Sequence, residues 1–307
     1  FDDPKDDRWP TLRLPMVGWL HYAVNQIPQT TFDELARLGE GIERLGVLRM
    51  DVDSLGTAFK TGFDTKNESI ASLARLSALS FHISLFFDGW VKRICEEEGW
   101  VRIQRKGEDL SSVYSIYSVY AGGDDLFLIA PWHLVPGLAK RIAGDLTAYT
   151  GGQLHLSGGM AFIHGKYPVH QAAKDAQVAL DDAKAHQGKN AFGFLGAVWG
   201  WDEFALLEQN YTMLKKMVQE GAAQDILQLV QTLGEMRPKS SKEKIVYGPW
   251  MWMAEYHLRR RQDEAEKHNP DLYSALGKLR EALAQDHYAH LPRWSKAARW
   301  AQLFTRK

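Results

Sequence analysis

The sequence has 307 residues, 45% of them apolar, with a formal net charge of −1. That is enough chain for one large or two ordinary domains, and the charge gives no whole-chain argument for binding nucleic acid or membrane. The single cysteine, Cys95, excludes an internal disulfide and a cysteine-based zinc cluster.

No apolar run is long enough to span a bilayer or to act as a signal peptide, so the expectation is a cytoplasmic protein without membrane contact. The sequence begins FDDPKDDRWP, without Met, and is expected to be a piece of a longer chain.

In chain order, the first clear signal is TTFDELARLGEGIERLG. Thr31 followed by Glu34 makes a capping box, which predicts a helix running to about Gly46. GVLRMDVD then predicts a short strand ending in acid. NESIASLARLSALSFHISLFFDGWVKRICEEEG has apolar residues at spacings of three and four and predicts one long helix stopped by Gly99. SSVYSIYSVY alternates and is rich in Val, Ile and Tyr, which predicts a strand. AGGDD is a turn, and LFLIA a strand ended by Pro131.

HLVPGLAKRIAGDLTAYTG predicts a helix and QLHLSGGMAFI a strand. PVHQAAKDAQVALDDAKAHQG predicts a helix with Pro168 at its start and Gly188 at its end. From about Trp201 onward the pattern is helical throughout, broken by the basic loop RPKSSKEK. The tryptophans of this region are expected in the core or at an interface.

The order strand-helix-strand-strand-helix-strand-helix predicts an α+β, ferredoxin-like palm followed by an all-α region. The expected divisions are a leading segment and helix at 1–45, the palm at 46–200 and a C-terminal helical domain at 201–307.

This winding places the AGGDD turn beside the acidic end of the first strand. Asp51, Asp53, Asp124 and Asp125 then share one rim, although Asp51 and Asp124 are far apart in sequence. Crowded carboxylates repel unless a cation sits among them, and hard oxygens suit Mg²⁺ or Mn²⁺. Two such ions are a device for nucleotidyl transfer. Gly122 and Gly123 permit positive φ and close approach of a nucleotide to the backbone.

Lys189, at the end of the last palm helix, lands on the same rim and can neutralise terminal phosphates. The plainer alternatives are an ordinary hairpin turn for GGDD, a loop-orienting role for Asp53, and a solvated helix-end lysine at 189. His155 is expected to be a satisfied strand residue. No His-Asp dipeptide, P-loop or G-x-S-x-G elbow occurs.

GVLRMDVDSLG, SLARLSALSFHISLFF, VYAGGDDLFLIAPW and LSGGMAFIHGKYPVHQAAKDAQVALDDAKAHQGKNAF, with the helical tail, resemble the large, polymerase-like subunit of type III CRISPR effector complexes, of the Csm and Cmr type. The likeness runs from about residue 46 to past 250 and matches a second palm plus a C-terminal helical domain.

The resemblance implies a nucleotidyltransferase that makes cyclic oligoadenylates from ATP with two Mg²⁺ or Mn²⁺ ions when target RNA is bound. It implies Asp51, Asp124 and Asp125 as catalytic metal ligands, with the backbone carbonyl of Val52 as a further metal contact. Gly122, Gly123, Asp53, Ser54, Ser80 and Lys189 are the residues implied to contact the nucleotide. Phe81 stands after Ser80 where the family often has arginine, which puts contacts of that arginine in doubt.

The implied partners are other subunits of the complex, crRNA and target RNA, and a first palm outside this chain. Two alternatives stand beside this reading. One is a catalytically silent scaffold and RNA-sensing subunit of the same complex, and the other is a stand-alone GGDEF-type dinucleotide cyclase.

Overall fold

A computed structural model of the chain describes residues 27–64, 70–103, 111–237 and 248–306. Most of the leading segment and most of the RPKSSKEK loop lie outside the described residues. The main sheet has six strands in the order β4-β5-β1-β6-β7-β8. These are β1 (Leu45–Val52), β4 (Tyr117–Gly122), β5 (Asp125–Pro131), β6 (Leu156–Ile163), β7 (Ala191–Phe194) and β8 (Ala197–Gly200). β1 lies between β5 and β6 and is antiparallel to both. The four strands β4-β5-β1-β6 and their crossovers form the expected ferredoxin-like palm. β7 adds to it in parallel beside β6, and β8 closes a final hairpin.

Strand alternation sorts β1 between two helical layers. Leu48, Met50 and Val52 are buried in the larger core, which includes Leu138, Ile142 and Leu146 of α5 (Val135–Tyr149). Leu45 and Val47 face the opposite way, onto α1 (Phe32–Arg37) and α6 (Val169–Ala185).

α6 lies very close to the sheet. A Cβ on Gly159 would come 2.2 Å from the backbone nitrogen of Leu180, and one on Gly193 would come 2.3 Å from the carbonyl oxygen of Ala179. Ala172, Ala176 and Ala183 complete this small-residue contact.

Four local expectations are corrected. The Thr31 capping box forms, with the Glu34 N–H donating to the Thr31 hydroxyl and the Thr31 N–H to the Glu34 carboxylate. The helix nevertheless ends at Arg37. Gly41 has φ +76, and a side chain there would collide with the carbonyls of Leu303 and Phe304, so the chain must turn.

The single long helix is in fact α3 (Leu73–Leu85), a π-helical turn at Phe86–Trp90 and α4 (Val91–Glu98), with a short α2 (Leu55–Thr61) before it. SSVYSIYSVY divides into β3 (Ser111–Tyr114) and β4, because β3 pairs with β2 (Trp100–Ile103) in a separate hairpin. Finally, β7 and β8 extend the sheet beyond the four strands read from the pattern.

α7 (Trp201–Gln219), α8 (Asp225–Met236), α9 (Pro249–Glu266), α10 (Pro270–Ala284) and α11 (Leu291–Thr305) follow. They join the same continuous core as the sheet through Phe192, Phe194, Phe204 and Trp300. Tyr211 stacks on Trp300 with ring centroids 4.1 Å apart. Trp250, Trp294 and Trp300 are buried as expected, whereas Trp252 is exposed. No helix among the described residues is long and apolar enough to cross a membrane. Cys95 is buried, and desolvation pushes its thiol up to about 12.

Candidate active site

The turn between β4 and β5 is a two-residue hairpin, with Gly122 paired to Asp125 and only Gly123 and Asp124 in the loop. Gly123 has φ +67, whereas Asp124 has no positive φ. A positive φ at the first loop position alone is the II′ pattern, which favours glycine there. Gly122 does not use a positive φ, and that part of the expectation is corrected. Its missing side chain serves another end, since a Cβ there would stand 3.3 Å from Asp88 Oδ1.

The fold brings the distant acids together. Asp51 is the cross-strand register partner of Asp125, and Ser157 of β6 faces it on the other side. The N–H of Val52 donates to the carbonyl of Asp124 at 3.0 Å, which ties the hairpin tip to the end of β1. Burial, then the charges of Asp51 and Asp125, raise the Asp124 carboxyl above its usual range.

Two of the three acids already have cationic or hydroxyl neighbours. Lys184, in the last turn of α6, places Nζ 2.5 Å from Asp51 Oδ1. The Tyr120 hydroxyl donates to Asp125 Oδ2 at 2.9 Å, and Arg49 lies 3.7 Å from that oxygen. Among the described residues no group of three His, Cys, Asp or Glu side chains is arranged to hold a metal ion as it stands. The donor set itself fits one. Asp51, Asp124 and Asp125 supply hard carboxylate oxygens, and the mutual repulsion raising Asp124 is what a divalent cation relieves.

Asp53 stands apart from these acids. It is buried, and its Oδ2 accepts from the Ser157 hydroxyl and from the N–H of Asn190, each at 2.9 Å. Its Oδ1 is buried without a hydrogen-bond partner. Desolvation raises its pKa against the lowering effect of those hydrogen bonds and of Lys184 and Lys189.

The loop-orienting alternative therefore describes the Asp53 carboxylate better than direct contact with a ligand. It holds the Lys189–Asn190 turn, whose two residues both have left-handed φ, 55° and 48°. Lys189 does reach the rim, where Nζ donates to the Ser54 hydroxyl at 3.2 Å. Ser80 is exposed on α3 and takes part in none of these hydrogen bonds. His155 directly precedes β6, and its carbonyl accepts from the N–H of Asp53.

Sequence reasoning missed Lys184, Tyr120, Arg49 and Asp88. Lys184 had a readable signal, since it lies in the last turn of α6, shortly before Lys189 in sequence. Tyr120 and Arg49 lie two to five residues from site acids in strands of period two. Asp88 had none, because its approach to Gly122 depends on the π-helical turn. Burial raises its carboxyl as well, and such turns often accompany functional sites.

Residues 44–193 match the protein family described as Cas10/Cmr2, second palm domain. The chain is 29% identical over 229 residues to a CRISPR system single-strand-specific deoxyribonuclease Cas10/Csm1 (subtype III-A) of Mycobacterium tuberculosis, covering 72% of this chain and 28% of that protein. It is 31% identical over 215 residues to the protein of the same description from Methanocaldococcus jannaschii, covering 64% and 26%. The chain thus spans about a quarter of the length of these curated relatives.

Among solved structures, Csm1 of T. onnurineus superposes with a TM-score of 0.66 at 24% identity, over 91% of this chain and 40% of that one. A Csm1–Csm4 cassette in complex with cA4 gives 0.65 at 23%, over 90% and 38%. At these identities the superpositions speak for the fold. By sequence match and fold together, the chain resembles the large subunit of type III CRISPR effector complexes, its residues 44–193 corresponding to the second palm domain of the Cas10/Cmr2 family.

Proposed function

We propose that this chain is the second palm and C-terminal helical part of a type III CRISPR large subunit, and that its acid rim joins ATP molecules into cyclic oligoadenylates. The observation that carries the proposal is the register pairing of Asp51 with Asp125, with Asp124 held to Val52 beside them. Structural neighbours solved with ATP, AMPPNP, pppApA and cA4 support it, as properties of those proteins.

On this reading Asp51, Asp124 and Asp125, with the Val52 carbonyl, hold divalent cations. When bound, such ions neutralise charge on the phosphates and favour ionisation of the attacking 3′-hydroxyl. The chain's own groups position the nucleotide. Gly123 leaves the turn open to a base or phosphate, with nothing within 4 Å of a Cβ placed there. Lys189 and Ser54 present a cation and a hydroxyl on the same rim. Lys184 exchanges Asp51 for a phosphate oxygen. The arrangement works by positioning and charge neutralisation and names no protein base.

A first palm outside this chain completes the chamber. α3 leads directly into the π-helical turn that carries Asp88 beside Gly122. Leu73, Phe81 and Leu85 on that helix are exposed, and an opposing palm would cover them. The partner subunits and the crRNA and target RNA belong to the same proposal.

The test incubates the assembled complex with ATP, Mg²⁺ or Mn²⁺ and target RNA, and measures pyrophosphate and cyclic products. Asp124→Ala combined with Asp125→Ala should reduce product by about 100-fold or more. Unchanged yield would overturn the proposal.

A second reading has an observation of its own. Asp51 and Asp125 are already neutralised by side chains, as a silent scaffold would require. It predicts normal assembly and RNA binding with no product even from wild type.

A further inference from the structure

At the end of the sheet opposite the acids, Arg37, Arg44, Arg299 and Arg306 line one concavity of about 1020 Å³, with Glu43 the sole acid among its lining residues. Arg44 precedes β1 at its Leu45 end, whereas Asp51 and Val52 close the other end. Strand rise puts the two regions about 25 Å apart.

All four arginines are exposed, and none has an ion-pair partner among the described residues. Arg44 donates to the carbonyl of Glu43 and Arg299 to the side-chain oxygen of Gln302. Several other arginines, Arg93, Arg141, Arg260, Arg261 and Arg280, are paired with carboxylates. In a chain of net charge −1, this is a local concentration of positive charge that no carboxylate pairs among the described residues.

Helix dipoles explain part of it. Arg37 and Arg306 sit at the C-terminal ends of α1 and α11, where cations are favoured. Arg44 lies in neither helix, and Arg299 lies well inside α11. Arg299 also lines a second concavity of about 570 Å³ with Arg237 and Lys296, where Glu235 is the only acid. The basic groups thus form a track through two adjoining hollows, longer than a single phosphate needs. The floor of the first is apolar, with Phe162, Leu195 and Leu303. Guanidinium groups around an apolar floor suit a strand that offers phosphates to the rim and sugars or bases to the floor.

We propose that this arginine-lined face, from Arg37 and Arg44 across Arg299 to Arg306, binds the phosphodiester backbone of single-stranded RNA. The choice of RNA rests on the function proposed above; the charge and shape do not.

The test measures binding of a labelled, non-complementary single-stranded RNA to the full-length large subunit by fluorescence anisotropy, from about 50 to 200 mM salt. R299E with R306E should weaken binding about tenfold or more at the low end and lower the log–log salt slope by about 1.4, the loss of two single-strand phosphate contacts. R299K with R306K should retain both affinity and slope.

Unchanged RNA affinity and slope in the reversed-charge variant would overturn the proposal. So would an effect confined to DNA of the same sequence, or loss of a protein subunit from the complex with RNA affinity intact. Product formation by the wild-type complex together with unchanged RNA binding in the variant removes this surface alone. Lost RNA binding without product from wild type removes the catalytic reading alone.

Discussion

Asp53 has two carboxylate oxygens with different fates. Oδ2 accepts two hydrogen bonds, and Oδ1 is buried with none. Asp53→Ala removes both bonds and releases the left-handed Lys189–Asn190 turn, at a cost of about 2–4 kcal/mol. Asp53→Asn keeps an acceptor for Asn190 and loses a desolvated charge, so it should lie within about 1 kcal/mol of wild type. Chemical denaturation of both variants of the full-length protein checks this. Equal destabilisation would show that the charge matters rather than the acceptor.

Asp124 gives a pH-dependent case. Its pKa is raised in the folded state, so between the ordinary carboxylate value and the raised one the folded chain holds the extra proton. Stability falls as pH rises through that window and stays lower above it. Without divalent metal, Asp124→Asn should therefore melt higher than wild type at about pH 7, and the gap should close towards about pH 3. Thermal melts at the two pH values measure it. A gap that widens in acid would contradict the sign.

At the scale of elements, α6 decides where Lys184 and Lys189 arrive, and Gly159 and Gly193 decide where α6 sits. Gly159→Ala drives a methyl group into the backbone of α6 at Leu180. The expected cost is about 3 kcal/mol, and the displaced helix carries Lys184 away from Asp51. Urea denaturation reads the first effect. A neutral substitution would mean that the helix is not held by this approach.

The sequence displayed much of this element scale. Alternation and helical spacing placed β1, β4, β5, β6 and α6, and the winding alone put GGDD beside Asp51. It hid features that depend on tertiary contact. The capping box at Thr31 could not show that Gly41 ends the run against α11. Continuous apolar spacing could not show the π-helical turn that delivers Asp88. A four-residue segment such as AFGF carries too little pattern to announce β7, which forms because β6 offers it an edge.

At the scale of the whole molecule, the sheet and the helices from α7 onward share one core, in which Phe192 and Phe194 of β7 meet Phe204 and Trp300. A division at 200/201 therefore remains a proposal about sequence organisation, since the buried cluster runs across it. The same packing fixes the two ends of the sheet, with clustered acids at one and clustered arginines at the other.

The acid end carries the central claim, that Asp51 and the hairpin acids make a single cation and nucleotide centre. The most direct measurement is an electron paramagnetic resonance titration of Mn²⁺ into the full-length subunit with AMPPNP, comparing wild type with Asp51→Asn. Wild type should bind Mn²⁺ saturably, and removal of the Asp51 carboxylate should weaken that binding about tenfold or more. Identical Mn²⁺ binding by the two proteins would contradict it.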